Sequence, residues 1–449
     1  MGSNFGDTDH DLAIIGDSFS ARWAALAAAR LHARVALVIQ AQISNLEIAL
    51  PFVLRDLSNR VAIAEANKHP LPFHSAQDLS QWMHRRGQQH LQHLSLHRLQ
   101  FHGVDVLREP GVFIEAPVKT SVFQVQARRL RVPHYLLALP ARGTDSATDS
   151  ATNLPDFLDR LQRLEPGDPI CLFCSQPWVI LLGRTLHRLG HPVTLIYEQS
   201  LLPTEDADLS FFIQCALESA GIIVQPTLIT TDTVNQSSYS ATFRPLNTID
   251  YKSLMLERAA ISWTQSNESL QFTTALRAQN SRFYGCGAVL RHEWSDVISQ
   301  RETAIAVRNA LFQTNEAPAY DQWPYSLPIG QQSYRVGLTE AQARRRLKSI
   351  EIMTRGLETG DDQIFCKLIM TGSGKIIGIH AVGQAFGQAH GEIEAVLGRL
   401  VQDLVDLSLS SPVLTMMFQD FAHRWTQMRQ PKIRDRRERY FRRKRKRFS

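Results

Sequence analysis

No cysteine occurs in the first 170 residues, and the five present, Cys171, Cys174, Cys215, Cys286 and Cys366, are too few and too scattered for a disulfide framework. Thiol chemistry is thereby excluded from the N-terminal stretch. No apolar run approaches the roughly 18–20 residues that cross a bilayer. The start, MGSNFGDTDH, has neither a signal-peptide core nor a basic amphipathic leader, so a soluble, cytoplasmic protein is expected. Low complexity is confined to RGTDSATDSATN, with its duplicated TDSA, which reads as a solvated linker. An excess of basic charge is also missing from most of the chain. Residues 430–449 hold eleven Lys/Arg against two acids, +9, and subtracting this from the net +6 leaves the rest at −3. The basic character therefore belongs to a tail and not to the folded body.

What is present suits a large globular protein. With 449 residues, 44% of them hydrophobic, the chain can bury an extensive core across two to four domains. Asp11–Gly16 (DLAIIG) reads as a short apolar strand ending in glycine, residues 20–32 as a helix, and Arg34–Ile39 as a second strand. Strand, tight turn, helix and strand within about thirty residues form a βαβ unit, which opens a parallel, doubly wound sheet. The pattern returns at Ile170–Phe173, a helix from Val179 to Leu189, and HPVTLIYE. Between the two units, Trp82–His102 reads as helical and VKTSVFQVQARRLRVPHYLLALP as a meander of strands. A second boundary falls near Gln313–Pro328, where proline and polar residues interrupt the pattern. Beyond it DQIFCKLIMTGSGKIIGIHAVG reads as a hairpin turning at Thr371–Lys375, followed by helices through about Arg429.

Over about residues 9–430 the sequence resembles the pyridine nucleotide-disulfide oxidoreductases such as mercuric reductase and dihydrolipoamide dehydrogenase. The resemblance is carried by DLAIIGDSFSARWAALAAARLHARVALV, LGRTLHRLGHPVTLIYEQSLLPTEDADLS, LMLERAAI with SRFYGCGAVL, ETAIAVRNALF, VGLTEAQARRR and GKIIGIHAVGQAFGQAHGEIEAV, in that order. It implies an α/β fold with two doubly wound Rossmann-like dinucleotide-binding domains and a C-terminal α+β dimerisation domain. The FAD-type domain would comprise 1–150 and 251–315, the NAD(P)-type domain 151–250 and the dimerisation domain 316–430, ahead of a basic tail at 431–449. A homodimer is implied.

The resemblance also exposes what chemistry would need. Dinucleotide phosphates sit where a glycine turn meets a helix N-terminus. In the first unit the three glycine positions are Gly16, Ser18 and Ala21, with Asp17 between the first two, and Ser18 intrudes where the pyrophosphate must approach. Gln40 stands near where an acidic residue would bind the ribose, and offers one hydrogen bond instead of a carboxylate's two. The glycine-aspartate pair that holds the flavin's ribityl chain reads Gly287-Ala288. FAD binding through this vestigial set is expected to be weak or lost. In the second unit Cys174, Gln176 and Val179 replace the glycines, so NAD(P) binding is not expected.

The redox dithiol should lie in AQISNLEIALPFVLRDLSNR, which has no cysteine. The partner-subunit histidine and glutamate that act as acid/base fall on Ser411-Pro412-Val413-Leu414-Thr415-Met416. The strand ends that close over the cofactors read Ala138-Leu139-Pro140 and Ala241-Thr242-Phe243. No catalytic residue and no metal ligand is assigned. Cys171 and Cys174 form C-x-x-C, but on a strand they point to opposite faces and read as structural thiols. His90, His93 and His97 would share one helical face, read as a solvated polar face in preference to a metal site.

Three functions follow. The first is a degenerate, non-catalytic homodimeric scaffold or regulator. The second is an FAD-dependent oxidoreductase without a dithiol. The third is a protein that binds nucleic acid or an anionic membrane surface through residues 431–449, whose bland reading is a frayed, solubilising extension.

Overall fold

The computed structural model describes residues 9–40, 43–113, 122–139, 154–174, 176–226, 241–243, 272–278, 282–290, 295–359, 362–387 and 389–445. The linker 142–153, the segment LMLERAAI and Pro140 lie outside these residues. The chain separates into two compact units: Met1–Leu202 with Gln214–Tyr320 and Pro328–Gly330, and Pro203–Ile213 with Asp321–Leu327 and Gln331–Ser449.

In the first unit β1 (Leu12–Ile15), α1 (Phe19–Arg30) and β2 (Val35–Val38) make the expected strand-helix-strand. With β3 (Asp105–Leu107), β7 (His134–Leu137) and β12 (Phe283–Gly285) the strands form one parallel sheet in the order β12-β7-β1-β2-β3. Every residue of β1, β2 and β7 is buried, as a sheet covered on both faces requires. The expected meander is shorter than its alternation suggested. β4 (Gly111–Phe113), β5 (Phe123–Val125) and β6 (Arg128–Leu130) form a three-stranded antiparallel sheet, whereas β7 leaves it for the parallel sheet. Tyr135 on β7 joins the two: its hydroxyl donates to the Leu130 carbonyl at 3.0 Å and accepts the Phe123 N–H at 3.3 Å, among Phe113, Phe123 and Phe283.

The stretch read as helical over Trp82–His102 is helical in three pieces. α3 (Ala76–His90) passes into a 3₁₀ turn at Leu91–Leu94, and Ser95, extended at ψ 146°, caps α4 (Leu96–Phe101) by accepting the Arg98 N–H. α2 (Asn45–Ala66) opens with a reciprocal Ser44/Glu47 capping box and α5 covers Leu154–Leu161. The second parallel sheet runs β10-β9-β8-β11, from β8 (Ile170–Phe173), β9 (Val193–Tyr197), β10 (Ile223–Pro226) and β11 (Ala241–Phe243). Its first helix, α6, spans Pro177–Arg188 and starts two residues earlier than expected, because proline suits the first helical position. α7 covers Ala207–Ser219 and α8 covers Asp296–Phe312. Two doubly wound Rossmann-like sheets are thus present.

The second unit is built on an antiparallel sheet ordered β13-β16-β15-β14, from β13 (Ser333–Gly337), β14 (Ile350–Thr359), β15 (Asp362–Thr371) and β16 (Ile376–Val382). The hairpin at Thr371–Lys375 lies where expected, but β14 was not anticipated. It is an edge strand with Met353 as its buried residue, so it lacks the apolar alternation that marks a strand. α9 (Glu340–Arg346), α10 (His390–Glu394) and α11 (Pro412–Arg445) complete this α+β unit. Leu414, Met417, Phe418, Phe421, Ala422 and Trp425 of α11 enter its core with Leu368, Met370, Ile379 and Phe386. The expected end of helix near Arg429 is corrected: α11 continues to Arg445, so the tail is helical for most of its length.

Candidate cofactor groove

Gly16 ends β1 with φ +135°, and a β-carbon there would sit 2.2 Å from the Ala138 carbonyl oxygen. Two residues on, Ser18 caps α1. Its hydroxyl accepts the Ala21 N–H at 3.2 Å and donates to the Ala138 carbonyl at 2.6 Å. A helix N-terminus holds an anion because its first N–H groups have no partner within the helix. Here the serine satisfies one of them and fastens the turn to the end of β7. Asp17 is buried beside it in a two-point ion pair with Arg22, at 2.7 and 3.0 Å, and Arg22 also reaches the Leu94 carbonyl. Burial pushes the Asp17 carboxyl up, against the opposing pull of Arg22.

Gly287, after β12, has φ +69°, and a β-carbon on it would lie 2.4 Å from the Ser20 hydroxyl of α1. Its N–H donates to the fully buried Glu302 at 2.6 Å, whose other oxygen accepts the Tyr320 hydroxyl at 2.7 Å. Ala288 is buried alongside. Gly16, Asp17, Ser18 and Ala21 therefore gather at the start of α1, and Gly287 packs onto that helix through Ser20. Gln40 is engaged elsewhere. Its amide pairs with the Gly111 backbone in both directions, donating at 3.0 Å and accepting at 2.7 Å.

In the second parallel sheet the Gln176 side chain makes no capping bond to α6, and Pro177 has no N–H to offer. Val179 is fully buried. Close approach of helix to sheet is made one turn later at Gly183, where a β-carbon would meet Leu195 at 2.9 Å. Cys171 lies on β8 and Cys174 one residue past its end, so the reading of both on one strand is corrected. Burial pushes the Cys171 thiol up to about 12 and raises Cys174 further. Neither is a thiolate near neutral pH.

Where a dithiol was sought, α2 carries aromatic and charged side chains. Phe52 packs edge-on to Phe19 and stacks on His90, with ring centroids 4.8 and 5.2 Å apart. His90 also pairs with Asp56 at 2.8 Å, next to the Arg86–Asp56 ion pair. Burial acts to raise the Asp56 carboxyl, but His90 and Arg86 outweigh it and hold the carboxyl below its usual range. The three histidines do not share a helix: His90 ends α3, while His93 lies in the 3₁₀ turn beside Arg98 and His97 in α4. Among the described residues no group of His, Cys, Asp and Glu is arranged to hold a metal ion. Ser411 precedes α11 and Met416 is 68% exposed on its first turns.

The second unit holds a buried charged cluster that sequence reading missed. The Lys367 ammonium on β15 donates to Asp206, Asp208 and Glu340, each at 2.7 Å, and its side chain is 1% exposed. Burial alone would depress its pKa; the three carboxylates reverse that and raise it. Close by in sequence, Glu205 accepts from Arg335 and from the Tyr325 hydroxyl, both at 3.0 Å. His380 donates to the Leu338 carbonyl at 2.9 Å, and burial lowers its pKa. The signal available was a lysine inside the apolar run IFCKLIM, a position that requires buried partners.

No family model and no curated protein matches the chain. Among solved structures, the crystal structure of LpdA from Mycobacterium tuberculosis is similar to it with a TM-score of 0.68 at 16% sequence identity, covering 92% of this chain and 99% of that one. The likeness is one of fold. It agrees with the architecture described above, two Rossmann-like domains and a C-terminal α+β domain.

Proposed function

We propose that this chain is a non-catalytic homodimeric protein, a scaffold or regulator built on the body of a flavoprotein disulfide oxidoreductase and working in the cytoplasm. The observation that carries the reading is the Ser18 hydroxyl. It stands at the helix N-terminus where a pyrophosphate would bind, with both its hydrogen-bonding roles taken by Ala21 and Ala138. Three further contacts support it. Gln40 gives both its polar atoms to Gly111, the Gly287 N–H goes to Glu302, and Ser20 closes on Gly287. A flavin entering this groove would have to break these bonds, and a buried polar group left unsatisfied costs about 1–3 kcal/mol.

The retained glycines do not argue for a nucleotide, because both are demanded by packing: Gly16 by the Ala138 carbonyl and Gly287 by Ser20. These packing roles support a reading in which the groove holds no FAD and the chain carries out no redox step. The second parallel sheet, with Gln176, Pro177 and Val179 at its helix start, supports the same reading for NAD(P).

The test is a visible absorption spectrum of the purified chain after incubation with excess FAD and gel filtration. No flavin bands are expected. About one flavin per chain would overturn the proposal and direct the work to electron acceptors. Light scattering is expected to give twice the chain mass; a monomer at micromolar concentration would remove the dimer from the reading.

A further inference from the structure

We propose that the C-terminal stretch of α11, residues 432–445, is a binding element for double-stranded DNA that lies in the major groove. The helix changes character along its length. Up to Trp425 it is amphipathic, with Leu414, Met417, Phe418, Phe421, Ala422 and Trp425 buried at three- and four-residue spacing. Among the described residues it is anchored to the sheet at the Thr371–Lys375 turn. Gly374, at φ +91°, leaves room for the Trp425 ring, and Arg429 stacks over that ring at 4.0 Å while donating to the Gly372 carbonyl at 2.6 Å. Among the described side chains of the helix, none beyond Trp425 is buried. The described side chains beyond residue 437, Glu438–Arg443 and Arg445, are all exposed, Tyr440 and Phe441 included.

The distribution of charge selects the partner. Residues 431–449 carry eight arginines and three lysines against Asp435 and Glu438. At 3.6 residues per turn, positions 432, 434, 436, 437, 439, 442, 443, 444 and 445 fall in every quarter of the helix circumference. A membrane surface meets one side of a helix and needs an apolar face there; this stretch has none. A groove meets a helix on several sides at once. The B-DNA major groove, about 12 Å wide, admits a helix of about 10–12 Å diameter and lines it with phosphates on both walls. The major groove of A-form RNA is too narrow and deep for this. Fourteen helical residues span about 21 Å, a length of duplex bearing about a dozen phosphate charges. Arginine, whose planar fork matches phosphate oxygens, predominates over lysine.

Fluorescence anisotropy tests this with the full chain, a chain ending at Gln430, and the triple variant Arg439→Gln, Arg442→Gln, Arg443→Gln. The probes are a 20-base-pair DNA duplex, the RNA duplex of the same sequence, and vesicles of phosphatidylcholine with a third phosphatidylserine. The full chain is expected to bind DNA with an affinity that drops about a thousandfold between 50 and 200 mM salt, as for about six phosphate contacts. The triple variant should lose about half of the salt slope, and the truncated chain all binding, with unchanged thermal melting because Trp425 is the last buried side chain among the described residues of α11. Binding that survives truncation, no binding to DNA, or RNA duplex or vesicles bound as tightly as DNA would each overturn the proposal.

Discussion

Replacing Lys367 with methionine is expected to destabilise the fold by about 3–5 kcal/mol at pH 7, the range for breaking a buried ion pair from one side. Methionine approximates the shape of the stem, so lost packing adds little. What remains is Asp206, 1% exposed, without the ammonium and held by the Asp208 and Glu340 N–H groups. Glu340 and Asp208 are 28% and 53% exposed and contribute less, because water takes over from the ammonium.

The pH dependence separates this account from a packing defect. In the native chain, the Lys367 pKa is raised above 10.5, so its stabilisation is complete below that value and is lost as pH rises through the folded pKa. For Asp206 burial acts to raise the carboxyl, but Lys367 and the Glu340 N–H hold it below 3.8. Its stabilisation is complete above 3.8 and is lost as pH falls through the folded value. The native chain should therefore be flat between about pH 5 and 9 in this contribution. In the variant burial acts unopposed by the ammonium, so the Asp206 pKa shifts upward and acidification from pH 7 to 5 should restore stability. Urea unfolding across that range is the measurement. A loss below about 1 kcal/mol at pH 7, or one that grows on acidification, would show that the cluster does not act as a unit.

Gly16→Ala is expected to cost about 3–5 kcal/mol, from two sources. A non-glycine residue at φ +135° stores about 1–3 kcal/mol of backbone strain. In addition its methyl would lie 2.2 and 2.7 Å from the carbonyl oxygen and carbon of Ala138. These are backbone atoms held by the Ala138 N–H bond to Ile15 and the parallel pairing of β1 with β7, so relief requires parting the central strands. Gly391→Ala in α10 is the control: no atom lies within 4 Å of the added methyl, and a change within about 1 kcal/mol in the stabilising direction is expected. Equal effects of the two substitutions in thermal unfolding would mean that Gly16 is not fixed by packing, and its retention would again speak for a nucleotide.

The Rossmann units were legible because the information is local. An apolar run of four, a glycine and an alanine-rich helix lie within twenty residues, and Leu12–Ile15 with Phe19–Arg30 follow from them. The replacements at Ser18, Gln40 and Ala288 were also legible as identities, but not as contacts. Sequence shows that serine intrudes on a phosphate position; only the fold shows that its hydroxyl bonds Ala138, 120 residues away. The Gln40 partner is a backbone pair 71 residues distant, a group that every residue carries and that leaves no sequence signature. Asp56, a side-chain carboxylate 34 residues before His90, was hidden by its distance along the chain. Lys367 draws on carboxylates 159 and 161 residues before it, so its environment could be inferred to exist but not composed. The break in Trp82–His102 was missed because Ser95 as a cap competes weakly in composition against a helical surround.

The distribution of the five thiols makes the protein its own reporter. Cys171, Cys174, Cys286 and Cys366 are buried, burial raises the pKa of each, and Cys215 on α7 is exposed. The thiolate is the species that attacks an alkylating reagent, so in the folded chain a single position takes a label, and a fluorophore can be placed there without engineering the sequence. The other four are spread over β8, its following residue, the residue after β12, and β15, so they sample both parallel sheets and the antiparallel one. The order in which they become reactive as denaturant is raised gives a chemical clock for which sheet opens first.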